Sequence, residues 1–413
     1  MEVNKRLLLT AISQIKASKD VVVLQDSPID GCLDILYAPK ASSDVPRCVN
    51  KMTICIGGTG TDLFNDNPTE KLGNPLPVYL SRMKGILKDA SSCVIEKGSL
   101  NGIRIEVERD DMVYSMFKHI NALHDNLLTK MKATATASIT MRQVDYSYMV
   151  SELTKFVSKD ETRYFMNGVC FDFEGSELNM VNIAATDGRK LCLMKHNLNG
   201  QKKGSGRYTI PPSYLFVPLS YFSSAQLKMT EKESHLSIHT EDYNFESMFD
   251  NLEGTYPDYL KVIPEITEKT QWFTLCAASF RMTVESVKSL MDKRDQIYIN
   301  AENPESLSII VADGSTTLEV EGTASRPMYI SCFWEQLGPC LFDGIALTKF
   351  YLNGSNFAIQ ARENKAVKGI TMNVLKMFMP TRDNNIKDPN KDEFRIPKVK
   401  PAEETPAETL TEF

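Results

Sequence analysis

The chain has 413 residues, 42% of them hydrophobic and 24% charged, with a formal net charge of −6. This is the composition of a globular protein with chain enough for about three domains, each able to bury its own core. It excludes a surface that is basic all over, and no apolar run approaches the roughly 18 residues of a membrane-spanning helix, so no membrane partner is expected.

The N-terminal stretch MEVNKRLLLTAISQIKASKD has only a short apolar run and no small-residue cleavage site, so it does not read as a signal peptide. Its NKRLLLTAISQIK portion is a helix candidate. Next comes CIGGTGTDLF, Cys55 to Phe64, where Gly57, Gly58 and Gly60 fall within four residues. A Walker loop needs Gly-Lys-Ser/Thr at its end, and here Thr-Asp-Leu follows. A dinucleotide fingerprint needs a third spaced glycine opening a helix, which is also missing. The glycines therefore read as a strand end or bulge.

Further along, Val78 to Asp89 is a helix candidate. Val144 to Lys159 places Tyr146, Met149, Val150, Leu153, Phe156 and Val157 at helical spacing. Leu178 to Met194 alternates apolar and polar residues on both sides of Asp187-Gly188, which predicts a β-hairpin. Pro212 to Phe222 and Ser279 to Lys293 are read as helices. Ser306 to Gly322 repeats the hairpin pattern around Asp313-Gly314, and Ser331 to Leu341 is a last helix candidate.

The two turn aspartates are 126 residues apart, and Asp62 lies 125 residues before Asp187. One unit of strands and two helices thus recurs three times. The stretch from Asp383 to Phe413 carries eight acidic and five basic residues and almost no large apolar ones, so it reads as a disordered acidic tail.

Chemistry-bearing clusters are sparse. The nine cysteines, at 32, 48, 55, 93, 170, 192, 276, 332 and 340, form no CxxC pair and read as reduced thiols of a cytoplasmic protein. The five histidines form no ligand cluster, and no Ser-His-Asp order stands out. No catalytic residue, metal or cofactor is expected.

Several segments resemble the bacterial DNA polymerase III beta subunit family, the sliding clamps. They are RYFMNGVCFDFEG followed by AATDGRKL (Arg163 to Leu191), GTYPDYLKVIP (Gly254 to Pro264), TGTDL (Thr59 to Leu63) and the run Met379-Pro380-Thr381-Arg382. They occur in the family's order with compatible spacing. The resemblance implies an α+β fold of three repeated clamp domains, each two helices packed on antiparallel β-sheets. The expected domains are 1–136 (divergent), 137–270 and 271–382, followed by the 383–413 tail. Two copies would join head to tail as a ring homodimer.

The function implied is a non-catalytic processivity factor in DNA replication, cytoplasmic and nucleoid-associated. It would encircle double-stranded DNA without regard to sequence and tether the replicative DNA polymerase and the clamp loader through linear peptide motifs. The resemblance places a peptide groove for a Q-L-x-L-F type motif between the second and third domains. Its lining would be Met166, Thr186, Gly188, Arg189, Lys190, Leu191, Pro257, Lys261, Val262, Met379, Pro380, Thr381 and Arg382. Arg189-Lys190 stands where the family has His-Arg, Thr381 replaces a methionine, and Tyr329 and Cys332 stand where an Asn and a Tyr are usual.

Sequence-blind DNA binding goes through phosphates. Candidates on the predicted helices are Lys5, Arg6, Lys16, Arg82, Lys84, Lys88, Arg142, Lys155, Lys159, Arg281, Lys288 and Lys293. Arg163, Tyr164 and Phe165 stand at the family's DNA-touching motif. Two other readings compete: an enzyme built on the glycine stretch, and a clamp-fold scaffold that binds partners without encircling DNA.

Overall fold

The structure, a computed structural model, describes residues 2–3, 5–17, 21–29, 32–39, 48–55, 76–89, 93–94, 120, 135–177, 179–201, 204–240, 243–287, 296–311, 316–342, 346–352, 359–363 and 369–381. The glycines of 56–64, the Asp313-Gly314 turn, Lys288, Lys293, Arg382 and the 383–413 tail lie outside the described residues, as do the side chains of Lys5, Arg6 and Arg82.

The chain begins with β1 (Glu2–Val3), α1 (Lys5–Gln14), β2 (Val21–Asp26), β3 (Cys32–Tyr37), β4 (Cys48–Cys55), β5 (Leu76–Tyr79), α2 (Leu80–Asp89) and β6 (Cys93–Val94). There follow β7 (Ala137–Arg142), α3 (Gln143–Leu153), β8 (Val169–Asp172), β9 (Met180–Thr186), β10 (Lys190–Asn197), β11 (Arg207–Ile210), β12 (Ser224–Met229), β13 (Glu233–His239) and β14 (Tyr243–Asp250). The last group is β15 (Gln271–Leu275), α4 (Ala277–Val287), β16 (Gln296–Ala301), β17 (Leu307–Val311), β18 (Thr316–Val320), β19 (Met328–Phe333), α5 (Trp334–Cys340), β20 (Thr348–Leu352), β21 (Ile359–Glu363) and β22 (Asn373–Phe378). The class is α+β with antiparallel sheets, as expected.

The chain divides into two compact units. The first holds Met1–Thr154, Asp160–Ile183 and Asn197–Tyr256; the second holds Lys155–Lys159, Ala184–His196 and Pro257–Phe413.

In the first unit one sheet runs β5-β2-β3-β4-β14-β13-β12-β7. Its seam is the antiparallel pairing of β4 with β14, from Cys48 opposite Phe249 to Ile54 opposite Tyr243. This joins a strand of the expected first domain to one of the expected second. β7 shows the period-2 burial of a one-sided strand, with Ala137, Ile139 and Met141 buried. α3 packs on β7 and β12, while α1 and α2 pack on each other. β8 lies between β11 and β9 in another sheet, with Arg207 of β11 opposite Asp172 of β8.

In the second unit β10-β22-β21-β20-β15 run side by side, and a four-stranded sheet has the order β18-β17-β16-β19. α5 packs on β22 and β19. Lys376 of β22 is buried, donates to the Leu341 carbonyl just past α5 at 3.0 Å, and lies 4.5 Å from the Phe342 ring centre. Alternate strand residues face opposite ways, so Leu375 and Met377 turn away from α5.

Four predicted helices need correction. Pro212 to Phe222 is only a 3₁₀ turn, Pro212–Tyr214. Pro211, Pro212 and Pro218 lack the N–H donors a helix requires. Phe216 is 49% and Tyr221 79% exposed. The helix expected over Val144 to Lys159 stops at Leu153, where Thr154 turns its hydroxyl back onto the Val150 carbonyl at 2.6 Å. Lys155 and Lys159 therefore lie beyond the helix on which they were expected. Val78 and Tyr79 belong to β5, paired with Val22 and Val21, and Ser331 to Phe333 belong to β19.

Candidate functional site

The predicted hairpin forms between β9 and β10. Asp187 Oδ1 accepts from the backbone N–H groups of Arg189 and Lys190, both at 2.9 Å. The Gly188 N–H donates to Thr186 Oγ1 at 3.1 Å, and Thr186 Oγ1 donates to the Lys190 carbonyl at 2.8 Å. Gly188 has φ +83°, a left-handed turn position that glycine adopts without strain. Asp and Thr therefore lock the turn through their own short side chains.

This hairpin is tied to the end of β22. The Met379 N–H donates to the Arg189 carbonyl at 2.8 Å, and Leu191 stands opposite Met377 in the ladder. The chain beyond is fixed to β19, because the Thr381 N–H donates to the Ser331 carbonyl at 2.9 Å. The Thr381 and Ser331 hydroxyls share a hydrogen bond of 2.7 Å. Thr381, which stands where the family has a methionine, thus anchors the strand end.

Lys190 is engaged as well. Its ammonium lies 3.8 Å from Asp187 and 5.8 Å from the centre of the Phe156 ring. The same unit carries the 3₁₀ turn Tyr259–Val262, with Pro257 before it. Lys261 pairs with Asp258 at 2.9 Å, while Val262 is 42% and Met379 40% exposed. Apolar side chains left this open on a hydrogen-bonded frame are what a peptide anchor requires.

Thr186, Gly188, Arg189, Lys190, Leu191, Pro257, Lys261, Val262, Met379, Pro380 and Thr381 all belong to the second unit. Met166 belongs to the first, where it is buried. Cys332 is fully buried opposite Ile297, so it offers no open surface, and burial pushes its thiol well above the ordinary range. Tyr329 stacks on Tyr298 with ring centres 5.5 Å apart.

The DNA-contact candidates separate. Arg163, Tyr164 and Phe165 sit in the first unit on a 3₁₀ turn, Glu161–Met166. Asp160 Oδ1 caps that turn, accepting from the Thr162 hydroxyl at 2.7 Å and the Thr162 N–H at 2.9 Å, and these bonds hold its carboxyl below the usual range. Arg163 reaches Asp160 at 3.5 Å. Tyr164 is half exposed and meets Phe165 edge to face, with centres 6.0 Å apart.

Among the helix cations, Lys84 donates to the Ile15 carbonyl at 3.2 Å and caps the end of α1. Arg142 is held by the buried Asp145 at 2.8 and 2.9 Å. Lys16, Lys88 and Arg281 are exposed, as are Lys155 and Lys159 in the second unit. Arg142 and Lys84 thus serve local structure, a role their charge alone did not distinguish from phosphate binding.

Across the β4–β14–β13 seam, the Glu246 carboxylate lies 3.3 Å from His235 Nε2 and pairs with the Lys51 ammonium. The His235 contact, joined by Lys51, draws the Glu246 carboxyl down to about 2 despite its burial. Its folded value lies below the unfolded one, so the stabilisation is complete above the ordinary 4.5 and is lost as pH falls towards about 2. Acid titration of unfolding midpoints should show this loss, and Glu246→Gln should flatten it.

Among the described residues, no group of three or more His, Cys, Asp or Glu side chains is placed to hold a metal ion, and no helix is long and apolar enough to cross a membrane.

No family model matches the chain. It is 27% identical to the beta sliding clamp of Escherichia coli (strain K12) over a segment covering 37% of this chain and 43% of that protein. It is 29% identical to the beta sliding clamp of Treponema pallidum (strain Nichols) over 32% of this chain and 35% of that protein. The match thus spans less than half the length of these curated relatives. Among solved structures, a DNA polymerase sliding clamp from Pseudomonas aeruginosa superposes with a TM-score of 0.66 at 12% identity, covering 93% of this chain and 99% of that one. DNA polymerase III subunit beta from Borrelia burgdorferi, in complex with a natural product, gives 0.66 at 13% identity over 92% of this chain and 97% of that one. These likenesses establish the fold.

Proposed function

We propose that this chain, a homologue of the bacterial beta sliding clamps that shares their fold, is itself a DNA sliding clamp and not an enzyme. Two copies would close into a ring around duplex DNA, and the hairpin–β22 surface would tether the replicative polymerase, the clamp loader and other factors by short linear peptides. The observation that carries the reading is the bond from Met379 to Arg189. It draws two of the family-like segments, Thr186–Leu191 and Met379–Thr381, into one frame, in the unit that also carries exposed Val262.

Mechanically, such a ring converts dissociation into sliding. Contact with DNA must then be weak, sequence-blind and directed at phosphates. Exposed Lys88, Lys155, Lys159 and Arg163 have the required chemistry, and exposed Tyr164 offers a face for a base to stack on. Lys84 is assigned instead to capping α1; Arg82 is retained as a contact for its place on α2, and Phe165 by the resemblance alone. The peptide surface works through apolar anchors, with the backbone frame of the hairpin setting register. Met166 and Arg382 complete the proposed lining.

Ring closure requires a second copy, because three modules make half a circle. Sedimentation equilibrium should give about twice the 46.5 kDa chain mass. A stable monomer at micromolar concentration would leave the ring without a means of closing and would favour a scaffold that does not encircle DNA.

A further inference from the structure

Beside the proposed peptide surface the second unit contains a cavity of about 560 Å³ that none of the residues proposed to line that surface borders. Its apolar lining includes Leu193, Leu260, Ile263 and Leu375, while Lys195, Glu265 and Asn373 add polar groups to the wall. We infer that this cavity receives a second apolar side chain of the partner peptide, one lying outside the Q-L-x-L-F core. The inference rests on the proposed function above and specifies which partners that surface prefers.

Two continuities carry it. Leu193 follows Leu191 by two residues on the same face of β10, and Leu375 follows Met377 in the same way on β22, where Leu193 and Leu375 are ladder partners. The floor of the peptide surface therefore runs into the floor of the cavity without a break, on the side of the strands away from α5. The same turn also serves both places: Val262 and Lys261 belong to the peptide surface, while Leu260 and Ile263 close the cavity. Leu260 is 36% exposed, an apolar side chain left open at the mouth. Pro257 and Pro264 bracket this turn and limit its freedom.

Volume and spacing agree with that occupant. The cavity falls within the roughly 300–1,000 Å³ of specific ligand sites and easily holds one leucine or phenylalanine side chain. Strand residues advance about 3.3 Å each, so an extended peptide reaches the cavity about two to four residues outside its core.

The test uses the full-length chain and labelled synthetic peptides in fluorescence anisotropy. One peptide carries Q-L-S-L-F between glycine-serine flanks. The others add one leucine at the second, third or fourth position before or after the core. At least one extended peptide should bind about tenfold tighter than the core peptide, the effect of burying one leucine-sized side chain. Leu260→Asp should cancel that gain while leaving the affinity of the core peptide unchanged, which also reports that the variant is folded. The inference is overturned if no added leucine improves binding, or if the gain survives Leu260→Asp. A gain that appears only in a chain shortened to end at Arg382 would show that residues 383–413 occupy the cavity, and would overturn the assignment to a partner. A core peptide that does not bind at all would instead refute the peptide surface itself.

Discussion

Met379→Ala is expected to weaken binding of a Q-L-x-L-F peptide by roughly 1–3 kcal/mol, or about 5- to 150-fold, from a starting dissociation constant on the order of micromolar. Met379 is 40% exposed, so truncating it leaves little cavity in the unbound protein. Its backbone N–H still donates to Arg189, so the frame of the hairpin is kept. The loss should therefore appear in calorimetric binding and not in the unfolding midpoint. Leu191→Ala is a poorer probe: Leu191 is buried, and truncating it adds a folding cost to any binding cost. Unchanged affinity for Met379→Ala, with the protein folded, would remove Met379 from the peptide surface.

Asp172→Ala is expected to destabilise the first unit by about 3–5 kcal/mol. The Asp172 carboxylate is fully buried at the end of β8. It accepts from the Glu174 and Gly175 N–H groups at 3.0 and 2.8 Å and pairs with Arg207 of β11 at 3.1 Å. Alanine at this position strands two backbone donors and a partly buried guanidinium together. Arg207→Ala should cost less, because the carboxylate keeps its two backbone donors. Urea unfolding of both variants gives the comparison, and an Asp172→Ala protein as stable as the parent would show that this ion pair contributes little. The pair stands in register across a ladder, so the effect should reach the β8–β11 pairing before the β4–β14 seam, which belongs to another sheet.

What the sequence disclosed depended on how local the signal was. The Asp187-Gly188 hairpin was legible because its turn chemistry and its alternation sit within a few residues of each other. The strands flanking Asp313-Gly314 were legible for the same reason and form as β17 and β18. Pro212 to Phe222 was misread because its apolar spacing imitates a helix, while its prolines remove the hydrogen bonds that would make one. α3 ends at Leu153, where the Thr154 hydroxyl bonds back to the Val150 carbonyl, a local detail that periodicity does not weigh. The β4–β14 seam and the Leu193–Leu375 pair join residues more than 180 positions apart, and no local pattern announces such partners. Within the proposed peptide surface, motif resemblance pointed to Thr186, Gly188 to Leu191 and Met379, but not to the structural bond of Thr381 to Ser331. The charge of Arg142 and Lys84 suggested phosphate binding, and only packing revealed their attachment to Asp145 and to the end of α1.

The central claim is encirclement of DNA, and retention on circular duplex tests it most directly. Protein assembled on a nicked plasmid and passed through a sizing column at moderate salt should travel with the circle, then be lost once a single restriction cut opens it. Equal retention on circular and linear plasmid would mean ordinary surface binding, and the proposed ring would be wrong.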